Sequence, residues 1–188
     1  MLNSPEMMAW GHKNSSFTIV LIALSFTVFC TLLCNDRIGR KVPFNYCLLG
    51  FYTLSQGYLL GLSVDGYLEK DVLSSLLLAC GAFFGMSYYA ASTPSDITVF
   101  YSWISGVFMC LLTMIVLATL DMLSASNTLI SFFCVLVAIL YVAADTQIIM
   151  NGRKYGISYD DFVKASLMLY VDFLRLFVSI LELLGNKN

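Results

Sequence analysis

Apolar residues fall along this chain in six long blocks separated by short polar breaks. The blocks run over about 17–34, 44–63, 72–91, 97–120, 127–150 and 162–184. Each holds about 18–24 residues, the length an α-helix needs to cross ~30 Å of hydrocarbon. The breaks, "NDRIGRKVP", "SVDGYLEKD", "STPSD", "DMLSASN" and "NGRKYGISYDD", gather turn-forming and charged residues. None is long enough to fold alone, so consecutive helices are expected to run antiparallel. The pattern predicts an all-α, polytopic transmembrane helical bundle of six spans. A polar segment at 1–16 precedes a single helical domain at 17–185, and a short tail at 186–188 follows it.

Composition agrees with membrane burial. The chain is 59% hydrophobic and 12% charged, with a mean hydropathy of +0.82, whereas a soluble domain carries about 25% charge. A net charge of −2 offers no basic field to nucleic acid, so lipid is the expected environment and no nucleic-acid partner is expected. The six cysteines lie in or beside apolar blocks, which argues against a disulfide framework. Cys30 and Cys34 share a helix face with no His or Cys companion and read as small apolar side chains. No small-residue cleavage site follows the first block, so no signal peptide is expected.

Lysine and arginine set the expected orientation. The first break holds Arg37, Arg40 and Lys41, and the fifth holds Arg153 and Lys154, with Lys164 just beyond. The second has Lys70 against Asp65, Glu69 and Asp71, and the fourth has no base. Odd-numbered breaks should therefore be cytosolic, which places both termini on the other side. Gly57-xxx-Gly61, Gly81-xxx-Gly85 and Ser102-xxx-Gly106 have the spacing that lets helix backbones approach, and read as ordinary bundle packing.

The last block is the informative one, because "LYVDFLRLF" at 169–177 places an acid and a base inside a membrane span. Each charge costs roughly 2.5–3.5 kcal/mol at the centre of such a helix on insertion scales. At 100° per residue, Asp161, Lys164, Asp172, Arg175, Ser179 and Glu182 fall in a strip about 80° wide. Lipid does not tolerate that strip, so it must face protein or water, and this helix is expected to be central in the bundle. The fifth block carries a matching line of Asn127, Ser131, Cys134, Tyr141 and Asp145. The second offers Asn45, Tyr52, Gln56 and Ser63 within about 40° of one another.

Two readings of the charges compete. Asp172 and Arg175 could neutralise each other at i, i+3 and serve only as a register device. Lys164 and Glu182 lie near helix ends, where they can snorkel or meet water. Asp145 strains the first reading, because it adds a second acid with no base in its own helix. If Asp145 and Asp172 approach, they cannot both ionise cheaply and titrate as a unit. Such a pair binds a cation when deprotonated and releases it when protonated. Carboxylates with backbone and amide oxygens suit calcium, so Asp145 and Asp172 are candidate Ca2+ ligands.

Three stretches, "YVAADTQIIM" (141–150), "KYGISYDDF" (154–162) and "ASLMLYVDFLRLFVSILELLG" (165–185), resemble the signature of the Bax inhibitor / lifeguard family, the transmembrane Bax inhibitor motif proteins. "GRKVPFNYCLLGFYTLSQGYLLG" (39–61) is similar to the family's basic–Pro–x–Asn loop and following helix, and "YAASTPSDIT" (89–98) to its Tyr-Ala-x-x-Thr-x-x-Asp turn. The resemblance covers about 20–185. It implies a seven-helix bundle with a central last helix, a pH-sensitive calcium leak through intracellular membranes and, in eukaryotes, suppression of cell death. The family's proton-sensing aspartates match Asp145 and Asp172, and an arginine helps latch them; Arg37 and Arg40 are latch candidates here.

Two departures follow. The family has seven spans and this chain shows six. The Arg-Lys-x-Pro-x-Asn loop follows the family's second helix, so the first is the one expected to be missing. Arg175 stands where the family often has a neutral residue. It should favour the ionised form of Asp172, or occupy the cation's place.

The leading expectation is a calcium leak channel of the endoplasmic reticulum or Golgi, with the plasma membrane as the other candidate. Asp145 and Asp172 form its proton-sensing path and Arg175, Arg37 and Arg40 are tuning or latch bases. Tyr141, Gln56, Asn45, Ser179 and Glu182 are its polar lining. No cofactor is expected beyond calcium as the transported ion. The alternative is a non-transporting interaction protein that modulates apoptosis by binding apoptosis regulators or other membrane proteins. An enzyme is not expected: the Gly-x-Gly-Asp and Pro-Ala-Leu elements of an intramembrane aspartyl protease are absent, and one histidine cannot build a zinc site.

Overall fold

The structure, a computed structural model, describes residues 13–93, 127–151 and 161–185. Among these lie six helices: α1 (Ser15–Cys34), α2 (Asp36–Gly39), α3 (Phe44–Val64), α4 (Glu69–Ser92), α5 (Asn127–Met150) and α6 (Phe162–Leu184). The five long ones fall on five of the six expected spans. The expected span at 97–120, residues 1–12, Arg153, Lys154 and the tail at 186–188 lie outside the described residues. Four helices, Ser15–Cys34, Phe44–Val64, Glu69–Ser92 and Ile130–Met150, are long and apolar enough to cross a membrane. The fold is that of a helical integral membrane protein. In α6, Lys164, Asp172, Arg175 and Glu182 interrupt an otherwise apolar helix of 23 residues.

In hydrocarbon every backbone and hydroxyl group must find its partner within the protein. Seven hydroxyls inside the long helices do so locally: Thr27, Thr31, Thr53, Ser55, Ser63, Ser74 and Ser92 each donate to the carbonyl four residues back, whereas Thr18, Ser25 and Ser75 have buried hydroxyls with no partner among the described residues. The third expected span begins three residues early, at Glu69, because Glu69 and Asp71 suit the positive end of a helix dipole in its first turn.

The chain divides into two compact units. The first holds residues 1–67 and 159–167. In it α1 packs on α3 and on the single turn of α2. Phe29 stacks on Tyr52 with ring centroids 5.9 Å apart, and Tyr46 meets Phe162 at 5.8 Å. Leu32 is buried against these elements, while Ile19, Phe26 and Leu54 point outward, as lipid-facing side chains do.

The second unit holds residues 68–158 and 168–187. Here α4 packs along α5, and Phe83 of α4 sets its ring edge-on to Phe173 of α6 at 5.6 Å. The burial is uneven: half of the membrane window of α5 is enclosed by protein, against 11% for α4. Among the described residues, small-residue spacing does not produce close contact at three of the glycines singled out above, since Gly57, Gly81 and Gly85 have no described atom within 4 Å of where a Cβ would stand. Ser102 and Gly106 lie outside the described residues. Cys30, Cys34, Cys47, Cys80 and Cys134 are free thiols; Cys110 lies outside the described residues.

Candidate functional site

Seven consecutive residues of α5, Tyr141 to Gln147, are buried. Seven residues make about two helical turns, so this part of the helix is enclosed on every side rather than along one stripe. Small side chains allow that: Val142, Ala143 and Ala144 have no exposed surface. Two polar anchors fasten the segment to α4. Thr146 donates its hydroxyl to the Val142 carbonyl at 2.7 Å and lies 3.4 Å from the Ser87 hydroxyl. The Gln147 amide donates to the Ala90 carbonyl at 3.3 Å.

Asp145 sits in the middle of this segment, 6% exposed, and Asp172 of α6 is 3% exposed. Their carboxyl groups are within hydrogen-bonding range of each other. Asp145 Oδ1 and Asp172 Oδ2 are buried and have no hydrogen-bond partner among the described residues. A buried acid left incompletely bonded is expensive, and the expense rises in a low-dielectric membrane interior.

The next rung of the α5–α6 seam joins Tyr141 and Arg175. The guanidinium carbon lies 5.1 Å from the centroid of the Tyr141 ring, within cation–π range. The Arg175 charge also acts on both aspartates. The rungs thus run Asp145·Asp172 and Tyr141·Arg175, in the sense two antiparallel helices require. Ser179 is buried on α6, and Glu182 at the end of the seam is exposed.

The remaining site residues read from the sequence lie in the first compact unit. Arg40 binds Asp161 through a fork: Nε donates to Oδ1 at 2.7 Å and Nη2 to Oδ2 at 2.9 Å. Asp161 is 6% exposed and the Arg40 side chain 44%. Arg37 is exposed on α2 and Gln56 half-buried on α3. Asn45 is fully buried, and both ends of its side chain are used locally: Nδ2 donates to the Gly39 carbonyl and Oδ1 accepts from the Tyr46 amide, both at 2.9 Å. It ties α2 to the first turn of α3.

Sequence reasoning thus picked out the four residues that the structure brings together, Asp145, Asp172, Tyr141 and Arg175. It did not pick out Ser87, Thr146 or Gln147 as supports. Their signal was the Asp-Thr-Gln triplet, in which two polar residues directly follow a membrane acid.

No group of three or more His, Cys, Asp or Glu side chains occurs among the described residues. A resident calcium takes six to eight oxygens. Among the described residues, Asp145 and Asp172 offer two carboxylates beside the Arg175 guanidinium.

Membrane-length helices and an acid pair enclosed between two of them define a polytopic helical membrane protein with a charged interior seam. Residues 4–188 match the family described as "Inhibitor of apoptosis-promoting Bax1", and the chain belongs to that family. It is 26% identical to human Protein lifeguard 3 over 195 aligned residues, covering 96% of this chain and 59% of the relative. Mouse Protein lifeguard 3 is likewise 26% identical, over 94% of this chain and 59% of its own length. Bax inhibitor 1 of Schizosaccharomyces pombe is 26% identical over 96% of this chain and 66% of its own length. The chain therefore spans less than two thirds of each of these relatives.

Proposed function

We propose that this protein is a pH-sensitive calcium leak pathway of an intracellular membrane, the endoplasmic reticulum or Golgi, and that it restrains cell death by limiting stored calcium. The observation that carries this reading is the Asp145–Asp172 pair: two enclosed acids in mutual range, each with a buried oxygen that has no donor among the described residues. A purely structural pair would be expected to have its oxygens bonded, as those of Asp161 are. An orphaned oxygen pair in a membrane span is a place for a proton or a cation.

The chemistry is an exchange. Two carboxylates this close share one proton, which leaves a single negative charge on the pair and favours a closed arrangement. Loss of that proton leaves oxygens for a hard divalent ion passing along the seam. Acid therefore empties the site of cation and alkali fills it. The role is one of permeation and requires no enzymatic step.

Calcium efflux from proteoliposomes at pH 6, 7 and 8 tests the reading. Wild-type efflux should depend on pH, and Asp172→Asn or Asp145→Asn should remove that dependence. Efflux at the level of empty vesicles from folded protein, at every pH, would sink it.

A further inference from the structure

The α5–α6 seam carries charge of alternating sign. The acid pair lies at one end, Glu182 is exposed at the other, and Arg175 stands between them. On α6 these stations are three and seven residues apart, about 4.5 and 10.5 Å along the axis. Arg175 is half-buried and lies over the Tyr141 ring. Any cation moving between Glu182 and the pair must pass a fixed positive charge in a medium that screens it poorly.

We propose that Arg175 is the occluding residue of the seam: a tethered cation, seated on the Tyr141 face between an outer acid station at Glu182 and the inner pair, which holds the place a permeating divalent ion would otherwise take. This rests on the leak reading and adds its regulation. Tyr141 is the positioning residue, because its ring face holds the guanidinium within cation–π range. A divalent ion advances when the guanidinium leaves that face. Glu182 can receive it, because it is an exposed carboxylate on the same helix.

The test is calcium efflux from proteoliposomes, read both as rate and as the calcium concentration giving half-maximal rate. Arg175→Gln should raise efflux about tenfold, the scale set by removing one poorly screened like charge, and lower the half-saturating concentration. Arg175→Lys keeps the charge and should stay within about twofold of wild type. A structural role alone would lower the amount of folded protein without moving half-saturation. Tyr141→Leu removes the ring face and should exceed Tyr141→Phe, which keeps it, by about threefold. Adding Glu182→Gln to Arg175→Gln should raise the half-saturating concentration again.

Unchanged efflux and half-saturation in folded Arg175→Gln, with Asp172→Asn still altering efflux, overturns the proposal and leaves the leak reading intact. If Arg175→Gln does not fold, the tyrosine variants decide, and equal efflux from Tyr141→Leu and Tyr141→Phe overturns it. Efflux at the empty-vesicle level from all variants and from wild type removes both.

Discussion

Two acids flank the first half of α6, and the protein treats them in opposite ways. Asp161, just before the helix, receives the Arg40 fork on both oxygens at 2.7 and 2.9 Å. Asp172, three turns on, is as deeply buried but keeps Oδ2 without a donor among the described residues, and its neighbour is another acid with an oxygen in the same state. The arginine nearest that pair lies over the face of Tyr141. The first arrangement is what stability asks of a buried charge. The second departs from it at a point that small side chains and two polar anchors hold in place. On the proposed reading, this departure is what a site kept for ions rather than for stability would show.

Breaking the satisfied pair should have the largest effect on folding. Arg40→Ala strands a buried carboxylate and should lower stability by about 2–3 kcal/mol, below the usual figure for a buried pair because Arg40 is half-exposed. Thermal unfolding in detergent reads this, and Arg40→Lys should recover only part of it because the fork is lost. Next comes Asn45→Ala, which removes two buried hydrogen bonds from the α2–α3 turn and should cost about 1–2 kcal/mol in the same assay. The acid pair should respond with the opposite sign. Asp172→Asn removes half of an incompletely bonded pair and should leave stability unchanged or raise it by about 1 kcal/mol. A loss of 2 kcal/mol there would erase the contrast between the two acids. Smallest is Thr146→Val, expected to cost about 0.5–1 kcal/mol, because its hydroxyl bond is largely local.

Much of this was legible in the sequence, and the reasons are physical. Uninterrupted apolar blocks gave the long helices, since only a helix satisfies its backbone in lipid. Charge periodicity showed that Asp145 and Asp172 both face inward, and on neighbouring antiparallel helices such lines tend to meet. The partner of Asp161 was not legible. Arg40 is 121 residues away, and no local pattern couples a loop arginine to the start of a distant helix. Asn45 was misleading for another reason. Its helical phase puts it on a polar line, but it stands in the first turn of α3, where free backbone groups of the turn claim both ends of its amide. Enclosure of all of Tyr141 to Gln147 was also hidden, because a hydrophobic pattern in a membrane helix does not tell lipid from protein. The glycine spacings suggested contact for the same reason that they failed to show it: small residues permit close approach without requiring it.

The most direct measurement is thermal unfolding of Asp172→Asn beside Asp161→Asn, paired with calcium efflux from the same preparations. If the membrane pair is kept for ions and the loop pair for folding, Asp172→Asn keeps or gains thermal stability and loses the pH dependence of efflux. Asp161→Asn should then lose stability and keep that dependence in whatever protein remains folded. The contrary result is Asp172→Asn unfolding as early as Asp161→Asn with efflux unchanged, which would make both acids structural.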